Sequence, residues 1–102
     1  MPALHVIEHE TSVVRVSPDT YIHDSGDWTM SEETAQSLIG GDMYFHRKQD
    51  QPSHFGGKIL SYRTHGDGPL KGRIILRIHP TMAHKEVRTG RDGWGMEMKI
   101  IR

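Results

Sequence analysis

The sequence predicts an α+β domain in which short antiparallel strands form a small β-barrel and one short helix packs on it. Three observations support this fold class. Roughly six short apolar runs are separated by Gly, Pro and Asp, one segment has a helical pattern, and the 102 residues suit one core. Residues 1–102 are therefore expected to form a single domain.

Composition excludes several classes of protein. The chain has no Cys, which excludes disulfides, thiolate catalysis and Cys-type zinc sites. No run of about 18 apolar residues and no secretory leader is visible, so we expect a cytoplasmic protein that does not bind membranes. Lys plus Arg (13) equals Asp plus Glu (13), but acids predominate before Leu38 and bases after it. The later part is expected to present either a basic surface or ordinary solvated charges at strand edges.

The first 28 residues are predicted to contain three short strands. Residues 1–10 suit a short strand or arm, residues 12–16 a β-branched strand, and residues 21–24 a third strand. Residues 25–27 are expected to form a loop, after which Trp28 is a large apolar anchor.

The helical pattern covers residues 31–39, with Thr29 or Ser31 as the N-cap and Gly40 at the C-terminal end. At under three turns it needs support from the strands, and we expect it to plug an open end of the barrel. Its apolar stripe consists of Ala35, Leu38 and Ile39.

Residues 38–63 are predicted to form two neighbouring strands, each introduced by a glycine pair (Gly40-Gly41 and Gly56-Gly57). Strand alternation separates one packed face from one polar and aromatic face that could hold a ligand. The first face is expected to carry Met43, Phe45 and Arg47, and the second Asp42, Tyr44 and His46.

The C-terminal third contains the strongest strand pattern, at residues 73–79. Residues 80–91 form a polar loop, residues 93–95 an aromatic insertion, and residues 96–101 a last strand. In the strongest strand we expect Ile74, Leu76 and Ile78 to point inward and Arg73, Arg77 and His79 outward.

The order of helix, Gly-Asp, apolar strand with aromatic-His, and glycine-led strand resembles the PUA-like superfamily, especially its EVE branch. The resemblance covers about residues 34–62 and implies a small barrel whose pocket accepts a nucleotide or a modified base. The signature G-x-K-x-x-E-x-R of the related ASCH group, which includes small hydrolases of acylated cytidine, does not occur here. The residues that carry the resemblance are Gly41, Asp42, Met43, Tyr44, Phe45, His46, Gly57, Lys58 and Ile59.

A candidate ligand site follows from aromatic rings that lie beside basic side chains, since rings stack on bases and cations meet phosphates. The alternative is that these rings are simply core residues. The predicted partner is a nucleotide or nucleic acid, and no cofactor is expected. The candidate ligand-binding residues are Tyr44, His46, Phe55, Lys58, Tyr62, Arg63 and Trp94.

Other chemistries have weaker patterns. The pairs His46/His54 and His79/His84, and the group His23, Asp24 and Asp27, lack diagnostic metal spacing, so no metal site is predicted. Ser53 and His54 with Asp50 are the nearest approach to a nucleophile and base, although residues 50–53 suit a β-turn better. Residues 89–95 could hold a phosphate through backbone amides or simply form a turn that seats Trp94.

Two functions remain as alternatives to the binding module. The first is a small hydrolase of a nucleoside-like metabolite, with His46 or His54 as general base. The second is a protein-interaction subunit that uses Trp94 and the last strand, or a homodimer that pairs through an edge strand.

Overall fold

The structure, a computed structural model, describes residues 2–8, 13–17, 20–66, 68–90, 93–95 and 98–101. In this part of the chain one mixed sheet has the strand order β2-β3-β6-β5-β4-β1-β7. One helix, α1, lies between β3 and β4 in the chain, so the α+β class is confirmed. The elements are β1 (Ala3–Ile7), β2 (Val13–Arg15), β3 (His23–Trp28), α1 (Glu32–Leu38), β4 (Asp42–His46), β5 (Ser53–Thr64), β6 (Ile74–Pro80) and β7 (Met98–Ile101).

The described strands do not close into a barrel. β2 and β7 stand at opposite ends of the strand order. Pairing is mostly antiparallel, as predicted, and the exception is β1 and β4, which run parallel. The intervening strands and α1 bring the chain back to β1 in the same direction, as a parallel pair requires.

The hydrophobic core lies on one face of the sheet, as the alternation in β4 and β6 predicted. Met43 and Phe45 are fully buried, but the prediction that Arg47 lies on the same face was wrong, because Arg47 follows the end of β4 and is exposed. On β6 the odd-numbered positions 75, 77 and 79 are less buried than their even-numbered neighbours. The buried core consists of Leu4, Val6, Trp28, Ala35, Leu38, Met43, Phe45, Ile59, Ile74, Leu76 and Ile78.

Helix α1 is shorter than predicted and begins at the expected cap. The Ser31 hydroxyl accepts a hydrogen bond from the Thr34 amide at 3.1 Å, so Ser31, not Thr29, is the N-cap. Gly40 has a φ of 85° and follows the C-cap, Ile39, where a left-handed residue ends a helix at little cost. The helix packs against β5 and β6. No described helix is long and apolar enough to cross a bilayer.

Two local predictions were wrong. Residues 25–27 continue β3, with a register shift between Ser25 and Trp28. This bulge places both side chains in the interior, where the Trp28 indole donates a 3.0 Å hydrogen bond to the Ser25 hydroxyl. Gly56 and Gly57 do not introduce a strand but lie within β5, which begins at Ser53.

Candidate functional site

The face of the sheet away from the core, here called the second face, gathers polar and aromatic side chains. Strand register places Lys99 beside His5, His5 beside Tyr44, and Tyr44 beside Gly56. After β6, a 3₁₀ turn at Met82–His84 packs against β4 and β5. The prediction that β4 and β5 are neighbours is confirmed. The 3₁₀ turn partly covers the second face of these two strands.

Gly56 allows this cover to approach the sheet. A Cβ atom on Gly56 would lie 2.2 Å from the Met43 carbonyl oxygen and 2.8 Å from the His84 Cβ. Gly57 is equally confined, because a Cβ atom there would lie 2.4 Å from the His79 carbonyl oxygen. The glycine pair is therefore required for close approach rather than for a turn.

His5 and His46 form a buried hydrogen-bonded pair. The His46 Nδ1 atom lies 2.8 Å from the carbonyl oxygen of Gln51, which can only accept, so Nδ1 carries the proton. In the neutral ring Nε2 is then the acceptor, and His5 Nδ1, 2.8 Å away, must be its donor. This arrangement requires the His46 imidazole to be neutral and His5 to be the donor.

Burial keeps the two rings neutral. It lowers the pKa of His5 from 6.5 to about 4, assisted by the positive charges that His46 and Lys99 can carry. Burial also lowers the pKa of His46, although the hydrogen bond to the Gln51 backbone opposes this effect. Both histidines are uncharged at neutral pH.

Tyr44 lies between two imidazole rings. Its ring stacks on His5, with centroids 4.7 Å apart and an interplanar angle of 19°. His84 contacts it from the β5 side, with centroids 5.2 Å apart. Since both sides of the Tyr44 ring are occupied, a base could not stack on it without displacing a histidine.

Trp94 contacts the same group of rings. It contacts His46 edge-on, with ring centroids 5.7 Å apart and planes at 88°. Its ring centroid lies 6.4 Å from that of His5. Its Nε1 atom is buried and has no hydrogen-bond partner among the described residues. We call this group, His5, Tyr44, His46, His84 and Trp94, the histidine cluster.

A second hydrogen-bond chain runs along the edge of the cluster. The Asp42 carboxylate lies 2.9 Å from His84 Nε2 and 3.0 Å from the Lys58 ammonium. The other ring nitrogen of His84 is hydrogen-bonded to the Thr81 hydroxyl. Burial raises the pKa of Asp42, but the hydrogen bonds from His84 and Lys58 outweigh it and the net effect lowers that pKa. Asp42 is therefore ionised at neutral pH.

At the other end of β5, two arginines share one carboxylate. Arg77 binds Asp24 through Nε at 2.9 Å and Nη2 at 3.2 Å, and Arg63 binds it through Nη1 at 2.7 Å. The pKa of Asp24 is lowered mainly by the hydrogen bonds from Arg77 and to a smaller extent by that from Arg63, although partial burial acts in the opposite direction. Beside these groups lies a hollow of about 110 Å³, here called the arginine hollow, lined by Ser61, Tyr62, Arg63, Ile75 and Arg77.

The structure divides the seven residues predicted to bind a ligand. Tyr44, His46 and Trp94 meet in the histidine cluster, where His46 is fully buried. Phe55 packs against the core and contacts the Phe45 ring.

The other three lie along β5. Lys58 and Arg63 have side chains that are 47% and 54% exposed. Tyr62 faces α1, with its hydroxyl 3.3 Å from a Glu32 carboxylate oxygen. The seven residues therefore do not surround one cavity.

The metal and nucleophile patterns considered from the sequence do not form a site among the described residues. The described residues contain no group of three or more His, Cys, Asp and Glu that could hold a metal ion. Ser53 is buried, with its hydroxyl donating to the His84 carbonyl oxygen and accepting from the Val87 amide. It fastens residues 84–87 to the sheet. The loop at 89–95 lies partly outside the described residues.

Sequence reasoning missed several members of these groups. His5 lies in a segment that looked like an ordinary arm, but β1 is an interior strand between β4 and β7. Asp24 and Arg77 were recognisable as charged strand residues, yet only the β3–β6 register brings them side by side. Comparison of the chain with family models, with curated proteins and with solved structures finds no match.

Proposed function

We propose that this chain binds a phosphate-bearing ligand, a nucleotide or a single-stranded nucleic acid, at the arginine hollow. The observation that carries the proposal is the convergence of Arg63 and Arg77 on one carboxylate, which leaves two cations for one anion. Arg63 engages Asp24 through one nitrogen only. The guanidinium N–H groups that do not face Asp24 are donors suited to phosphate oxygens.

The size of the hollow supports a phosphate contact rather than enclosure of a whole nucleotide. Its volume of about 110 Å³ is well below the roughly 300 Å³ at which pockets for whole small molecules begin. Lys58 lies five residues before Arg63 on β5, about 17 Å away along an extended strand. This spacing suits a ligand that runs along the strand more than a compact mononucleotide.

The PUA-like relationship belongs to the same proposal. It is supported by the order of α1, Gly41-Asp42, β4 and β5, and it implies a modified base as the recognised group. We also place the protein in the cytoplasm under this proposal. Self-association through β2, where Val14 is 66% exposed, would appear as a dimer mass in light scattering.

The test is fluorescence anisotropy with labelled single-stranded RNA at several salt concentrations. Each lost phosphate contact reduces the slope of log K against log salt by about 0.7. We expect Arg63→Gln to weaken binding and to reduce the slope by about this amount. The matched control is Arg47→Gln, which removes an exposed arginine after the end of β4 and should leave the slope unchanged.

Two results would refute the proposal. The first is the absence of salt-dependent binding to RNA, DNA or nucleotides by the wild-type protein. The second is an equal loss of affinity in the Arg63 and Arg47 variants, which would indicate a general charge effect rather than a site.

A further inference from the structure

A threonine hydroxyl is hydrogen-bonded to an imidazole that is itself oriented by a carboxylate. Asp42 is ionised and can only accept, so His84 Nε2, 2.9 Å from Asp42 Oδ1, carries the proton. In the neutral ring Nδ1 is then bare and must accept its hydrogen bond from the Thr81 hydroxyl. The Thr81 proton therefore points at a base, as in an activated nucleophile.

We propose that Thr81 is a nucleophile for acyl transfer from small esters, with His84 as its general base and Asp42 as a positioning residue. In the first step the Thr81 oxygen bonds to the ester carbonyl carbon and its proton passes to His84 Nδ1. The bond from that carbon to the alcohol oxygen breaks, and the alcohol leaves with the same proton. Water then cleaves the acyl-threonine by the same transfers and restores the hydroxyl.

The surroundings of Thr81 support this assignment. The residue is partly exposed and Met82 beside it is 77% exposed, so this segment lies at the protein surface. The Lys58 ammonium lies 3.0 Å from Asp42 Oδ1, so it helps to hold the carboxylate that orients His84.

The base predicted from the sequence was His46 or His54. His46 is excluded because its Nε2 atom is hydrogen-bonded to His5 and its Nδ1 atom to the Gln51 carbonyl oxygen. The hydroxyl–imidazole hydrogen bond assigns this role to His84. The proposal is independent of phosphate binding because it concerns the other end of β5.

The experiment uses the full chain and p-nitrophenyl acetate, with release of p-nitrophenol followed by stopped flow and the acetylated peptide identified by mass spectrometry. We expect a burst and an acetyl group on Thr81. Thr81→Ala should abolish the burst, Thr81→Ser should retain it, and His84→Gln should slow it about 100-fold or more. Asp42→Asn should lower the rate constant of the burst and leave its amplitude unchanged. A loss of folded protein would instead reduce the amplitude.

The matched controls are Thr64→Ala and His79→Gln, which alter exposed residues of the same types and should leave the burst unchanged. Absence of acetyl-Thr81 in the wild-type protein would overturn the proposal, whatever other side chains become acetylated. A burst that persists in Thr81→Ala would also overturn it. Because adduct mapping uses the wild-type chain, the test stands even where a variant fails to fold.

Discussion

Acidification from pH 7 to pH 4.5 should destabilise the fold through the buried pair of His5 and His46. The folded-state pKa of His5 is about 4, below its ordinary value of 6.5. As the pH falls below 6.5, the unfolded chain binds a proton that the folded chain rejects. Stability that is present above pH 6.5 is therefore lost progressively as the pH falls toward 4.

The magnitude follows from the size of the shift. A decrease in pKa from 6.5 to about 4 corresponds to at most about 3 kcal/mol of unfolding free energy, reached below pH 4. His46 contributes in the same direction because its pKa is also lowered. Asp24 and Asp42 have lowered pKa values and lose their contribution only below about pH 4, outside the measured window.

The assay is urea unfolding followed by tryptophan fluorescence at pH 7, 6.5, 5.5 and 4.5. His5→Asn should have a shallower dependence of stability on pH than the wild-type chain, even if it is less stable at pH 7. His79→Gln removes an exposed histidine and should retain the wild-type dependence. Equal pH dependence in His5→Asn and the wild-type chain would refute the reasoning.

Two further predictions concern the attachment of residues 81–90 to the sheet. Gly56→Ala should lower the free energy of unfolding in urea by at least about 1–3 kcal/mol, because the new Cβ would lie 2.2 Å from a backbone atom. The same change at Gly66, where no atom lies within 4 Å, should have little effect. Unchanged stability of Gly56→Ala would contradict the close approach. Ser53→Ala removes the buried hydroxyl that bonds the His84 carbonyl oxygen and the Val87 amide. It should cost about 1–3 kcal/mol and speed hydrogen exchange of the Val87 amide, and unchanged exchange there would show that Ser53 does not fasten the segment.

Much of the sheet could be predicted because its cause is local. Period-2 alternation in β4 and β6 identifies the apolar side chains that face the core without any knowledge of neighbouring strands, since each side chain's face follows from its position in the strand. The helix cap at Ser31 and the left-handed Gly40 are equally local, because each depends on residues within one turn.

The candidate sites depend on register and could not be predicted in the same way. Ser25-Gly26 resembled a loop because Gly and Ser favour turns, whereas the bulge in β3 is maintained by burial of Trp28. The sequence left Phe55 as either a ligand-binding ring or a core residue, and its packing against the core decides for the second. His84 gave no signal beyond its residue type, because its partner Asp42 is 42 residues away.

The sequence by itself determined which apolar side chains of β4 and β6 face the core, which glycine ends the helix, and that this chain has no cysteine chemistry. Only the tertiary structure decided that His5 pairs with His46, that Arg63 and Arg77 share Asp24, and that His84 joins Asp42 to Thr81. The physical reason is the separation along the sequence of the residues that interact. Burial and capping act over a few residues, whereas these hydrogen bonds depend on strand order, on register, and on two glycines that let another segment approach.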